Sequence, residues 1–98
     1  MSAERQRIDV WLWRARFLKT RAAASRLAAE GGLRLIREGR GQRLKRASAS
    51  VMAGDVLVFA EGETLRAIKV EALAPRRGSA QEARKLYQEV AAALAGIA

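Results

Sequence analysis

A chain of 98 residues, half of them apolar or aromatic, can bury one modest core and not two. It contains no cysteine and no histidine, which excludes a disulfide framework, a cysteine-ligated metal, the commonest general base, the serine-histidine triad and the usual zinc ligands. The net charge of +9 belongs wholly to the first half: residues 1–46 carry 13 Lys/Arg against four acids, and residues 47–98 carry six of each.

Such a field points to a polyanionic partner, because it speeds encounter and releases counterions from phosphates. Of the 13 cations, 11 are arginine, whose planar fork pairs bidentately with phosphate and stacks on bases. High-GC codon usage also enriches arginine, and a solvated, self-repelling face is the plain alternative. No apolar run approaches the roughly 20 residues of a membrane span. The start, Met1 to Arg7, is too charged for a signal sequence, so a soluble, unprocessed, cytoplasmic protein with no membrane contact is expected.

In chain order, Ile8, Trp11, Leu12, Ala15 and Leu18 recur at spacings of three and four, which predicts an amphipathic helix over residues 7–18. Arg7 and Arg14 lie seven apart and would share another face of it. Thr20 is placed to cap a second helix from Arg21 to about Glu30, rich in alanine and stopped by Gly31 and Gly32. Two short strands then follow, at residues 33–37 and 42–46, around a Gly39-Arg40-Gly41 turn, with basic outward positions. Gly54-Asp55 forms a turn into a buried strand ending near Phe59. Residues 64–73 form a further strand whose facing is ambiguous, with Leu65, Ala67 and Lys69 alternating against Arg66, Ile68 and Val70. Ser79-Ala80-Gln81-Glu82 matches a capping box for a third helix, on which Leu86, Val90, Leu94 and Ile97 share a stripe.

The fold class is therefore α+β: two packed N-terminal helices, a small curled antiparallel or mixed β-sheet, and a C-terminal helix. Residues 1–6 read as an extension, 7–75 as the domain and 76–98 as a basic segment with the last helix. Enzymatic signals are missing. Neither glycine cluster has the spacing of a phosphate loop or dinucleotide site, and Asp9, Asp55, Glu61 and Glu63 are scattered as ion-pair or turn residues would be. No enzyme activity, cofactor or metal is expected.

The main functional signal is the recurrence of basic groups near the helix pair and the hairpin: Arg14 and Arg16, Lys19 with Thr20 and Arg21, Arg26, and Arg43 with Lys45 and Arg46. Trp11 and Trp13 could stack on bases, but they flank an apolar stripe, which favours core packing. The strands carry almost no aromatics, so phosphate and shape readout of folded RNA fits better than base stacking on a sheet.

The run Arg7-Ile8-Asp9-Val10-Trp11-Leu12, then Thr20-Arg21, Ala24, Leu27, Gly31 or Gly32, a basic hairpin, Ser48, Val51 and Gly54-Asp55-Val56-Leu57 resembles the RNA-binding domain first named from small-subunit ribosomal protein four. That domain is also appended to tyrosyl-tRNA synthetases and pseudouridine synthases. Residues 9–21 and 76–87 look like a subfamily of small ribosome-associated heat-shock proteins. The resemblance implies a non-catalytic RNA binder with its helix pair as an alpha-L motif, and binding of ribosomal RNA on the large subunit blocked by peptidyl-tRNA, with a role in recycling stalled subunits during heat stress. By position it carries RNA contact to Arg14, Arg16, Lys19, Thr20, Arg21, Arg26, Arg43, Lys45 and Arg46, and it leaves Asp9 to hold Arg21 or the start of the second helix. Where the family commonly has Val-Asn-Gly and Lys-Pro-Ser, this chain has the longer, more basic 35–41 turn and Arg46-Ala47-Ser48. A monomer is expected. The rival readings are a DNA-binding or nucleoid protein, since helix, turn and helix suits a major groove, and a protein-interaction adaptor using the last helix.

Overall fold

The computed structural model describes residues 4–91. Its elements in order are β1 (Gln6–Arg7), α1 (Ile8–Arg14), α2 (Arg21–Ala29), β2 (Leu33–Arg37), β3 (Arg40–Arg43), β4 (Ser50–Val51), β5 (Val56–Glu61), β6 (Thr64–Val70), α3 (Ala80–Ala83), a 3-10 turn (Arg84–Leu86) and β7 (Tyr87–Val90). All strand pairs are antiparallel: β1 joins β4, and the larger sheet runs β3-β2-β5-β6-β7. The α+β class expected from the sequence is the one observed.

The helix pair packs on one face of that sheet. Ile8, Trp11 and Leu12 from α1, Ala24 and Ala28 from α2, and Leu33, Leu57, Ile68 and Val70 from the strands form one core. The alanines of α2 present no bulk, which lets α1 approach closely. Trp11 is fully buried, and its Nε1–H donates to the Ala72 carbonyl at 2.9 Å, so the ring brings its polar edge to a partner. Phe17 links the layers, stacked on Trp11 and edge-on to Phe59.

The helix expected over 7–18 is shorter, for a definable reason. Arg16 takes a left-handed φ of 67°, Phe17 N–H donates back to Leu12 O at 3.0 Å, and Arg16 N–H donates to Trp13 O at 3.1 Å. This is the double closure usually built on glycine, here carried by an arginine at a cost of about 1–2 kcal/mol. Leu18 lies beyond it and packs half-buried against the core. The end of α2 is conventional: Gly31 has φ +80° and Gly32 N–H donates to Leu27 O at 3.0 Å.

Three further expectations change. The hairpin turns on Glu38-Gly39, with φ of 53° and 77°, so β3 starts at Arg40, and Lys45 and Arg46 fall past its end. On β6, Ile68 and Val70 are buried among the core, while Leu65 is 48% exposed, which settles the facing. Ser79 does cap a helix, accepting from Glu82 N–H at 3.2 Å, but that helix stops at Ala83. Tyr87–Val90 pairs with Val70–Ala67 instead, because β6 offers a free edge, and sheet pairing outweighs a weak local helical stripe. Leu94 and Ile97 lie outside the described residues.

Candidate nucleic-acid interface

The site is organised around Asp9, a carboxylate only 1% exposed. It accepts a forked pair from Arg7, Nε to Oδ1 and Nη2 to Oδ2, both at 3.0 Å. Ser25 Oγ donates to Oδ2 at 2.8 Å and Val10 N–H to Oδ1 at 2.8 Å, while Arg21 Nε stands 3.8 Å from Oδ2. Burial pushes the Asp9 carboxyl up, but the hydrogen bonds from Arg7, Ser25 and Val10 and the Arg7 charge outweigh it and hold it below its ordinary value. One carboxylate thus fastens the start of α1 to α2 through Ser25. It leaves the side chains of Arg7 and Arg21 about half exposed, at 49% and 54%.

Thr20 caps α2, its hydroxyl accepting from Ala23 N–H at 3.0 Å. The amides of Arg21 and Ala22 have no partner within a helix, and Lys19 stands exposed just before them, so cations and free donors share one helix end. The basic segment after β3 leads from the far end of α2 back to α1. Arg43 packs its stem against Gly31 just past the far end of the helix, where a Cβ would meet its Cδ at 3.2 Å. Ala47 O accepts from Asp9 N–H at 3.4 Å, which brings the chain after Lys45 and Arg46 back to the Asp9 hub. Lys19 and Arg21 thus stand at the start of α2 and Arg43 just past its far end, with Lys45 and Arg46 on the return toward Asp9, and all five are exposed. Arg26 lies on the exposed stripe of α2 with Ala22 and Ala29. Among the described residues, Lys19, Arg26, Arg43, Lys45 and Arg46 form no ion pair.

Arg14 and Arg16 are placed differently from the rest. Arg14 Nη1 donates to Ala74 O at 2.8 Å, and Arg16 Nε to Gly78 O at 2.7 Å. In return Arg77 Nε donates to Trp13 O at 3.1 Å and its guanidinium lies 5.5 Å over the Trp13 ring. These arginines tie the 74–78 segment to the end of α1. Neither tryptophan is an open stacking platform, since Trp11 is buried and Trp13 is half-buried beneath Arg77. Arg7 belongs to the exposed cationic group although sequence spacing had put it on a helix with Arg14; its position before the Ile-Asp pair was the available signal.

Asp55 is the other buried carboxylate, forked by Arg37 with both bonds at 2.8 Å and accepting from Met52 N–H on Oδ2 at 2.8 Å. They brace the turn into β5. Among the described residues no cluster of His, Cys, Asp and Glu could hold a metal, and no helix is long and apolar enough to cross a membrane.

No protein-family model matches the chain. It is 38% identical to a heat shock protein 15 homolog of Haemophilus influenzae over 91% of its own length and 64% of that protein. It is 39% identical to heat shock protein 15 of Escherichia coli K12 over 87% of its length and 60% of that protein. The chain thus spans less than two thirds of the length of these relatives. Among solved structures, the trimeric heat shock protein 15 of Vibrio cholerae superposes with a TM-score of 0.79 at 34% identity, covering 95% of this chain and 89% of that one. On that identity and coverage, the chain belongs to the heat shock protein 15 family.

Proposed function

We propose that this protein is a non-catalytic RNA-binding module, of the type named from small-subunit ribosomal protein four, that grips structured ribosomal RNA. The observation carrying this is the group of exposed cations before, on and after α2, at a capped helix start that Asp9 ties to α1. Arginine and lysine side chains bridge phosphates there, Thr20 and the first amides of α2 add anion contacts, and A-form shape supplies selectivity. Membership of a heat-shock family supports a role under heat stress; the large ribosomal subunit, stalled with peptidyl-tRNA, is the partner we assign, in the cytoplasm.

The test is binding to a folded fragment of large-subunit ribosomal RNA and to duplex DNA of equal length at matched salt. Tighter RNA binding that weakens with salt is expected. A preference for the DNA duplex would move the assignment to a nucleoid protein. Sedimentation velocity on the same samples decides between the expected monomer and a trimer like that of the Vibrio cholerae relative.

A further inference from the structure

The second half of the chain sums to zero charge, but not evenly. Residues 76–85 hold Arg76, Arg77, Arg84 and Lys85 against one acid, Glu82, a local charge of +3. The fold fastens this block to the end of α1: Arg16 Nε donates to Gly78 O at 2.7 Å and Arg77 Nε to Trp13 O at 3.1 Å. Lys19 follows Arg16 by three residues, at most about 11 Å of chain, so the tie joins the block to the loop that leads into α2.

A cavity of about 270 Å³ opens in this block. Pro75, Ala83 and Leu86 give it an apolar lining, and Arg76, Glu82 and Lys85 add charge. Its walls are pinned. Gly78, which also lines it, is held by Arg16, and Leu86 O accepts from Glu71 N–H at 2.8 Å and Ala72 N–H at 3.2 Å. A Cβ on Gly78 would collide with Glu82 Oε2, so glycine is what leaves room for that carboxylate. Glu82 is also free of the task its spacing suggests. In a capping box it would accept from Ser79 N–H. Among the described residues it accepts instead from Arg76 Nη2 at 3.1 Å, on Oε2, and Oε1 accepts no hydrogen bond. Lys85 is exposed and forms no ion pair among the described residues.

We infer that this cavity takes one unpaired nucleotide of the bound RNA, with the base against Pro75, Ala83 and Leu86, its N–H edge on Glu82 and its phosphate on Lys85. The inference rests on the RNA reading above and adds a base contact to the phosphate contacts at the start of α2. The space is too small for a helix about 10 Å across. A single planar base fits the chemistry: its faces bury against apolar side chains, and its N–H groups need an acceptor once they leave water. Arg76 holds the Glu82 carboxylate in place, which leaves Lys85 to answer the phosphate charge.

The experiment titrates the isotope-labelled full chain with guanosine monophosphate, whose base presents adjacent N–H groups, and with ribose phosphate, which lacks the base. The amide resonances of Gly78, Ala83 and Leu86 shift with the nucleotide and not with the sugar phosphate. No shift, or equal shifts with both, overturns the inference. Affinity is also measured for a stem-loop of large-subunit ribosomal RNA with one bulged nucleotide and for its fully paired counterpart. Wild type prefers the bulged RNA by about tenfold, the worth of one charge-assisted hydrogen bond. Lys85→Gln and Glu82→Ala lose that preference. Arg84→Gln removes an equal charge beside the cavity but not in its lining, and keeps it. Equal affinity of wild type for the two RNAs, or the same loss in Arg84→Gln as in Lys85→Gln, overturns the site. If wild type binds neither RNA, the function proposed above fails instead, and the nucleotide titration judges the cavity alone.

Discussion

Replacing Asp9 by alanine strikes the point where fold and interface meet. Two losses can be counted. The Ser25 hydroxyl loses a charged acceptor at 2.8 Å, worth about 1.5 kcal/mol, and the Val10 amide loses its 2.8 Å partner at a similar cost. Arg7 and Arg21 turn to water, and no stability is assigned to them. The sum is about 3 kcal/mol, or roughly 12–24 °C in melting temperature for a domain of this size. Affinity for structured RNA should fall together with stability, because α2 loses its tie to α1 and Arg21 its orienting carboxylate. Thermal melting by circular dichroism and RNA titration by fluorescence anisotropy, run below the variant's melting point, check both. Unchanged melting with a selective loss of binding would refute the reasoning, since it would make Asp9 part of the contact and not of the scaffold.

Three further outcomes follow from the same geometry. Since the native Asp9 carboxyl is held below its ordinary value, it adds stability that is complete above the unfolded value near pH ~3.9 and is lost as pH falls through the lower native value. The melting temperature of Asp9→Asn should fall less steeply than that of wild type in this acid window. Thr20→Ala should cost about 1 kcal/mol through the lost cap on Ala23 N–H, measurable by urea unfolding, and Thr20→Ser should restore most of it. Trp11→Phe should cost about 1–3 kcal/mol in the same assay, because the buried ring is kept while the Ala72 carbonyl loses its donor; a neutral result would mean that carbonyl finds water.

Local signals made part of this molecule legible from its sequence. Thr20, the alanine run and Gly31 mark both ends of α2, and the structure places its cap and its closure there. Ser79 likewise starts a helix where its spacing from Glu82 says it should. What escaped depends on partners remote in sequence. The early end of α1 relies on Arg16 in a left-handed conformation, with its side chain bonded to Gly78, 62 positions away. The same 74–78 segment takes up Arg14, so two arginines that charge alone assigns to RNA also serve as internal ties. Tyr87–Val90 has a helical stripe, and only the open edge of β6 makes it a strand. Pairing of Arg34 with Arg43, by contrast, was readable in principle: once the turn is centred on Glu38-Gly39 and not on Arg40, the register follows.

The central claim, that α2 and the basic segment after β3 bind ribosomal RNA, is tested most directly by co-sedimentation with separated small and large ribosomal subunits at two salt concentrations. A Lys19/Arg21/Arg46 triple alanine variant belongs beside wild type, since Lys19 and Arg46 form no ion pair among the described residues and Arg21 makes only a long, half-exposed one to Asp9, unlike the bonded Arg14 and Arg16. The predicted result is recovery of wild type with free large subunits, reduced by salt and by the triple substitution while melting is unchanged. Absence of wild type from every ribosomal fraction at low salt, or equal recovery of the triple variant, would contradict it.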